Sequence, residues 1–436
     1  MSTVLGVVLL SRNGARASFH QDPSSYAPGQ TDSTPLGVAT SHTLGTSLRS
    51  TYLTPTSPSF ISDITPSNAL ADTKQIKILA KAGGEGPAVF DSAIALLQGL
   101  FPPTEKNMMK LANGTLVRAP LGGYQYVPIE TVEPGNDRML ESWTDCPEFK
   151  KHVSSVRSSS AFADKSTEAQ PFLRELHDFV FGRPATLDNI WNIYDFMSTQ
   201  LVYNQTYAYR LPPTYINQAR ALADWHENAI FSSPDMNGVG NVAGRTILHP
   251  VLNAVERIAF NGDPLKLMLV ETTYQPFISL FHQMDMIKEH PELAGIPNFG
   301  ATLAIELRRG APPDTRDFLR FKFLNGTEDN DGWQLLHAFG HRGDIPLTEF
   351  VYRIQGSAIT SNREWGHICG VPEFATSTSS SFSVGGFGYE QLLFAMGAML
   401  LLAVVFMGKK LSMRRRYASA AQSQITVVET VMTEKV

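Results

Sequence analysis

Two arginines four residues apart, Arg12 and Arg16, enclose Asn13-Gly14-Ala15 directly after the apolar run Val4 to Leu10. A glycine between two guanidinium groups permits close backbone approach, and the planar guanidinium fork matches phosphate oxygens. At the carboxyl end of a strand, RNGAR would form a phosphate cradle. The same five residues also fit an ordinary solvated loop. His20, seven residues after Asn13, is most simply a loop histidine; as an alternative it could approach the cradle as a nucleophile. His337 and His341 stand at i, i+4, a spacing that binds metal on a helix, but no HExxH glutamate accompanies them. A structural or surface pair is expected there, with no metal and no cofactor. Arg342-Gly343-Asp344 is read as a chance tripeptide.

The elements that must position the cradle follow from apolar patterning. Val4 to Leu10 is a continuous aliphatic run, as in a strand buried on both faces of a parallel sheet. Thr34-Pro35-Leu36-Gly37 opens a helical pattern over Leu36 to Tyr52. Asp91 to Gly99 reads as a helix stopped by Gly99 and Pro102-Pro103. From about 105 to 245 the patterns are mostly helical, as in Pro171 to Phe181, Asp188 to Gln200 and Tyr215 to Phe231. Leu265 to Val270 is a second buried strand. Ala301 to Leu307 and Phe318 to Phe323 form a hairpin-like pair, and Phe350 to Ile354 reads as a further strand. Strands at both ends with helices between them predict one α/β domain over 1–375. Its central sheet is expected to be mixed and mainly parallel, flanked by helices, with the helical subdomain inserted.

The chain has 436 residues, 36 basic against 41 acidic, so the net charge is 36 − 41 = −5. Hydrophobic residues make up 43%, which excludes a disordered chain. The mild negative charge argues against nucleic acid as a partner, because neutralising phosphates needs a basic face. Two cysteines, Cys146 and Cys369, exclude a disulfide-rich scaffold and a four-thiolate zinc site. One disulfide and two buried thiols both stay open.

Charge and apolarity concentrate at the C-terminus. Gln391 to Gly408 carries no charge, and eighteen residues at about 1.5 Å each span roughly 27 Å, close to a hydrocarbon core. Lys409, Lys410, Arg414, Arg415 and Arg416 follow at once. This asymmetry predicts a single-pass helix over 389–408, preceded by a Ser/Thr/Gly-rich stalk over 376–388 and followed by a basic cytoplasmic tail over 409–436. The large domain then lies on the non-cytoplasmic side, at the cell surface or in the secretory pathway. Val4 to Leu10 lacks a basic n-region and makes a poor signal peptide. Sequons at Asn113, Asn204 and Asn325 would make the chain a glycoprotein, although about three are expected by chance.

In order along about 370 residues, the landmarks resemble the histidine acid phosphatase family, in the branch that includes phytases and related acid phosphatases. RNGAR stands where that family has RHGxR, and Thr34-Pro35-Leu36-Gly37 matches its TPLG. Ser92-Ala93 through Leu96-Leu97-Gln98-Gly99-Leu100-Phe101-Pro102-Pro103 matches its SAxxLLxGLFPP. Cys146-Pro147-Glu148-Phe149, Tyr194-Asp195 and Ala243-Gly244 match landmarks of the helical insertion. Leu267-Met268-Leu269 through Thr272-Thr273 sits where a strand ends in HDTT. Pro297-Asn298-Phe299-Gly300-Ala301 through Glu306-Leu307, and then Pro346-Leu347-Thr348-Glu349-Phe350, complete the series. The resemblance implies a phosphoglycerate mutase-like fold.

It also implies a mechanism from whose residues this chain departs. In the family, the His of RHG attacks phosphorus, three arginines hold the phosphate, a second His assists and the Asp of HD protonates the leaving group. Here the nucleophile position is Asn13, whose amide lone pair is delocalised into its carbonyl. The HD pair falls on Val270 and Glu271, and the third arginine on Ala88. Arg12 and Arg16 remain as phosphate-binding residues, and Glu271 still carries a carboxyl group. Phosphate monoester hydrolysis needs up to about 10²¹-fold acceleration. Losing a nucleophile costs roughly 10⁴ to 10⁶. The expected protein is a membrane-anchored pseudophosphatase that binds or scaffolds, with room for an anionic or phosphorylated ligand. A weakly active acid phosphatase is the alternative.

Overall fold

The continuous apolar run at the N-terminus divides its side chains between two cores. In strand β1 (Thr3–Arg12), Val7 and Leu9 face one hydrophobic cluster while Val8 and Leu10 face another. Successive Cβ atoms on a strand point to opposite faces, so a run buried on both sides must be apolar at every position. The computed structural model describes residues 2–371 apart from 28, 261 and 328–331. These residues belong to one compact unit, Met1–Ala375. The expected stalk, membrane helix and basic tail lie outside the described residues. Among the described residues, no helix is long and apolar enough to cross a membrane.

Strands β2 (Ile76–Ala80), β5 (Leu267–Thr272), β6 (Thr302–Arg309), β7 (Asp317–Leu324), β8 (Gln334–Leu336) and β9 (Ile345–Pro346) complete a seven-stranded sheet. Its order is β2-β5-β1-β6-β7-β8, with β9 also paired to β7. Strands β3 (Met108–Lys110) and β4 (Leu116–Arg118) make a separate exposed hairpin. The sheet is mixed, as expected, but it is not mainly parallel. β5 runs parallel to β1 and β2, whereas the β1–β6, β6–β7, β7–β8 and β7–β9 pairings are antiparallel. The apolar runs reflect helices on both faces of the sheet, and they carry no information about strand direction.

Helices α1 (Pro35–Leu48) and α2 (Gly86–Leu100) cover one face; the helices Val242–Phe260 and Gln275–Gln283 cover the other. The inserted helices Pro147–Arg157, Ser160–Glu175, Ile190–Tyr203, Gln205–Arg210 and Pro213–Ile230 contribute two further clusters, one around Leu173, Ile193 and Met197. Phe350 to Ile354 belongs to a helix, Leu347–Ile354, and not to a strand. Its buried residues Leu347, Phe350 and Ile354 recur at i, i+3 and i+7, the helical period.

Cys146 and Cys369 form a disulfide with Cα atoms 4.7 Å apart, which resolves the open choice between a bridge and two thiols. It ties the start of the helix Pro147–Arg157 to the end of Asn362–Ile368, across 223 residues of sequence. Closing so long a loop restricts the unfolded chain, by about 3–5 kcal/mol. Replacing both cysteines by serine should therefore lower the urea midpoint by that equivalent under non-reducing conditions. An unchanged midpoint would show that the bridge is not formed.

Candidate functional site

β1 delivers the cradle to the carboxyl end of the sheet. The Arg12 N–H donates to Ala301 O at 2.8 Å and the Asn13 N–H to Thr272 O at 3.0 Å. The loop then docks on the start of α1. Thr34 caps that helix, its Oγ1 accepting from the Gly37 N–H at 3.1 Å and donating to Ala15 O at 2.9 Å. A Cβ at Gly37 would lie 1.9 Å from Ala15 O, so only glycine fits. The Gly14 N–H donates to Ser92 Oγ of α2 at 3.0 Å. The TPLG and SA landmarks are thus the surfaces that shape the arginine loop.

Both arginines of the loop are engaged by the protein's own groups. Arg16 is buried; its Nε meets Glu85, and its Nη1 lies 2.7 Å from Asp195 Oδ1. Asp195 Oδ2 also accepts from the Phe19 N–H at 2.8 Å. Arg12 donates through Nη1 to Pro297 O, and its guanidinium stacks 4.1 Å from the Phe299 ring and 5.3 Å from Tyr274. Arg16 lies 5.1 Å from the ring of Phe19 and 5.5 Å from that of Phe299. Phe299 therefore covers both arginines. Gly300, at a φ of +72° that glycine tolerates, fixes it there by sharing its N–H between Arg12 O (3.1 Å) and Asn13 O (3.2 Å).

Electrostatics follow from burial. Burial opposes the charge on Arg16, but Asp195 and Glu85 outweigh it and hold the guanidinium above its ordinary value. Burial also opposes the Glu85 charge, and Arg16, Lys81 and Arg12 outweigh it, so this carboxyl lies below its ordinary value. At Asp195 burial dominates and the carboxyl is raised, in spite of Arg16. Arg12 has no carboxylate partner within ion-pair distance among the described residues, and burial lowers it to about 10.

Asn13 is fully buried, and its Nδ2 donates to Gly14 O at 3.0 Å. Ala88 is fully buried in α2. Val270 packs with Leu10 in the core, while Glu271 pairs in register with Ser11, one step before Arg12. Burial pushes the Glu271 carboxyl up to about 8, with only the Ser11 hydroxyl favouring its charge. Asn13 Oδ1 and Glu271 Oε2 have no hydrogen-bond partner among the described residues.

The structure thus brings Arg12, Asn13 and Arg16 together with Glu85, Asp195, Phe299 and Tyr274. These last four carry no role in the sequence reading, although Asp195 and Phe299 stand in its landmarks. Glu85 had one signal: a carboxylate three residues before the vacated arginine position. His20 is exposed, and its neighbour Phe19 turns inward instead. His337 and His341 follow β8 in a loop and contact Glu289 (3.2 Å) and Glu349 (3.0 Å). Asp344 of the RGD tripeptide is held by Arg320 at 2.8 Å. Glu306 on β6 is a fully buried structural acceptor, bonded by Tyr52 at 3.2 Å and paired with Lys322 and Arg308.

Comparison with known proteins agrees with this architecture. A lysosomal acid phosphatase of Pongo abelii is 24% identical over 322 residues, covering 72% of this chain and 69% of the relative. A lysosomal acid phosphatase of Homo sapiens is 31% identical over 123 residues, covering 28% and 26%. Among solved structures, the phytase of Citrobacter braakii aligns with a TM-score of 0.56 at 13% identity, over 85% of this chain and 100% of that chain. The Klebsiella sp ASR1 phytase aligns with a TM-score of 0.56 at 14% identity, over 84% and 96%. At such identities the structures establish a shared fold. The profile of the histidine phosphatase superfamily (branch 2) matches residues 9–261, from within β1 through the cradle, helices α1 and α2, the insertion and the helix Val242–Phe260, and the chain belongs to that family.

Proposed function

We propose that this protein is a membrane-anchored, catalytically inactive member of its family that acts by binding or scaffolding. One observation carries the reading: the cradle arginine Arg16 is already met by two buried carboxylates, Glu85 and Asp195. A phosphate dianion arriving there would have to displace Glu85 or accept its repulsion. Asn13 offers no nucleophilic lone pair, and Phe299 covers both guanidinium groups. The apolar segment 391–408 with its basic flank supports the anchor. The Cys146–Cys369 disulfide and the lysosomal acid phosphatase relatives support a secretory or lysosomal setting, with the domain on the non-cytoplasmic side, where sequons are glycosylated.

The alternative, weak acid phosphatase activity, draws on Glu271, a carboxyl at the family's acid position that stays protonated up to about pH 8. Both readings meet in one assay. The full chain in detergent micelles, given p-nitrophenyl phosphate between about pH 3 and 7, should turn over no faster than buffer, a loss of roughly 10⁴-fold or more against an active relative. Turnover within about a hundredfold of an active relative would establish the alternative.

A further inference from the structure

Strands β3 and β4 stand apart from the main sheet, and every residue in them is exposed. Their register pairs Met109 with Val117, Met108 with Arg118 and Lys110 with Leu116. Directly paired residues share a face, and neighbours along a strand do not. Met109, 67% exposed, and Val117, 48% exposed, therefore form one face, and it carries no charge. The other face sets Met108 and Leu116 beside Lys110 and Arg118. Only these two strands pair in this sheet, so each keeps an open edge. An exposed apolar ribbon with open edges is a template for pairing with other chains unless something blocks it. Lys110 and Arg118 guard one face; no side chain of the strands guards the other.

The turn that joins the strands holds a sequon, Asn113-Gly114-Thr115. The Gly114 N–H donates to Leu111 O at 2.9 Å, and the Leu111 N–H to Thr115 O at 2.8 Å. Asn113 is exposed, and its Oδ1 accepts from the Thr115 N–H at 3.0 Å. Among the described residues its Nδ2 donates to nothing. The other two sequons differ. Asn204 caps the helix Gln205–Arg210 through Oδ1, and its Nδ2 donates to Gln200 Oε1 at 2.9 Å. Asn325 is half-buried, and its Oδ1 accepts from the Asn298 N–H at 2.9 Å. A sugar on Nδ2 replaces one hydrogen and leaves Oδ1 as an acceptor. At Asn113 it costs no hydrogen bond, and the turn keeps its shape.

From this we infer that Asn113 carries an N-linked glycan, and that the glycan shields the uncharged face of the hairpin from pairing with other chains. The inference rests on the non-cytoplasmic placement proposed above, the side on which sequons are glycosylated. The donor is a lipid-linked diphospho-oligosaccharide. Its bond from the anomeric carbon to a phosphate oxygen breaks, the electron pair stays on the diphosphate, the carbon bonds to Nδ2, and Nδ2 gives up one proton. A bulky, water-binding chain then stands at the tip of the ribbon, where a neighbouring chain would otherwise approach its open edges.

The test uses the full chain from eukaryotic cells, held one chain to a lipid nanodisc. Enzymatic deglycosylation in heavy-oxygen water converts each glycosylated asparagine to a labelled aspartate, and mass spectrometry should find that label at Asn113. Thr115→Ala removes the sequon but keeps Asn113 and its turn contact, whereas Thr115→Ser keeps both. In sedimentation, Thr115→Ala discs should associate at a concentration about tenfold or more lower than native discs, at an unchanged urea midpoint. Thr115→Ser should match the native chain. Adding Met109→Thr and Val117→Thr to Thr115→Ala should restore dispersion. An unmodified Asn113 beside a modified Asn204 or Asn325 overturns the inference and leaves the non-cytoplasmic placement standing. No label at any sequon overturns both. A glycan at Asn113 whose loss leaves association unchanged overturns the shielding. Association of the glycosylated chain that Met109→Thr and Val117→Thr abolish would assign the hairpin to a second copy, and overturns it likewise.

Discussion

Arg16→Ala destabilises the folded protein by about 3–5 kcal/mol, read as a fall in urea midpoint at unchanged slope. The substitution removes the one cation that Glu85 and Asp195 both engage, leaving two buried carboxylates with no partner in place of Arg16. Lys81 lies near Glu85 but is engaged by Glu141 at 2.5 Å, so it does not replace the lost charge. This outcome separates two states of the same motif. In a cradle that awaits an anion, neighbouring guanidinium groups repel each other, and removing one relieves strain. In this protein Arg16 is part of the core, and its removal creates strain. Arg16→Lys keeps the charge but loses the fork that serves two carboxylates at once, so it should recover only part of the stability. A change within about 0.5 kcal/mol for Arg16→Ala, or a gain, would return Arg16 to the role of a ligand-binding residue and remove the main support for lost hydrolysis.

Legibility in the sequence followed the range of the interactions. β1, β5, β6 and β7 announce themselves as apolar runs because burial on both faces demands them, and α1 begins at a threonine cap that a short motif displays. Strand direction leaves no such trace; the hairpin-like pair β6–β7 was legible, but the other antiparallel pairings of the sheet went unread for that reason. Phe350, Val351 and Ile354 favour a strand locally, and Leu347, outside the expected segment, completes the helical stripe. At the site, Arg12, Asn13 and Arg16 are legible because they are contiguous. The carboxylates that neutralise Arg16 are 69 and 179 residues away. No spacing rule joins a guanidinium to partners at such separations; only the folded chain does. The absent imidazole at position 13 was visible, whereas the carboxylates engaging Arg16 were not. The second observation bears more directly on the proposed loss of hydrolysis, because a nucleophile serves one step whereas the charge on Arg16 would be needed to hold any phosphate.

Stability should fall as pH rises from about 4.5 toward 8, and Glu271→Gln should abolish much of that fall. Glu271 is fully buried on β5, and burial raises its carboxyl from an ordinary 4.5 to about 8. Between these values the native state keeps a proton that the unfolded chain has released. The number of protons bound is then smaller in the unfolded state, and the free energy of unfolding decreases with pH by about 1.4 kcal/mol per unit. The contribution is fully present below the ordinary carboxyl value and is lost progressively up to the raised one, amounting to a few kcal/mol at pH 8. Glutamine is neutral at every pH, so the variant should gain on the native protein above about pH 5 and match it near pH 4. Urea midpoints of the two proteins across pH 4 to 8 decide the matter; parallel curves would show that Glu271 titrates normally. The direction is the reverse of that expected from ion-paired carboxylates, which stabilise as pH rises. It also bears on what remains of the ancestral acid. Among the described residues Glu271 Oε2 has no hydrogen-bond partner, and the group that favours its charge is the Ser11 hydroxyl. Its proton is therefore retained by desolvation, and the same burial makes the fold more stable in acid than at neutral pH.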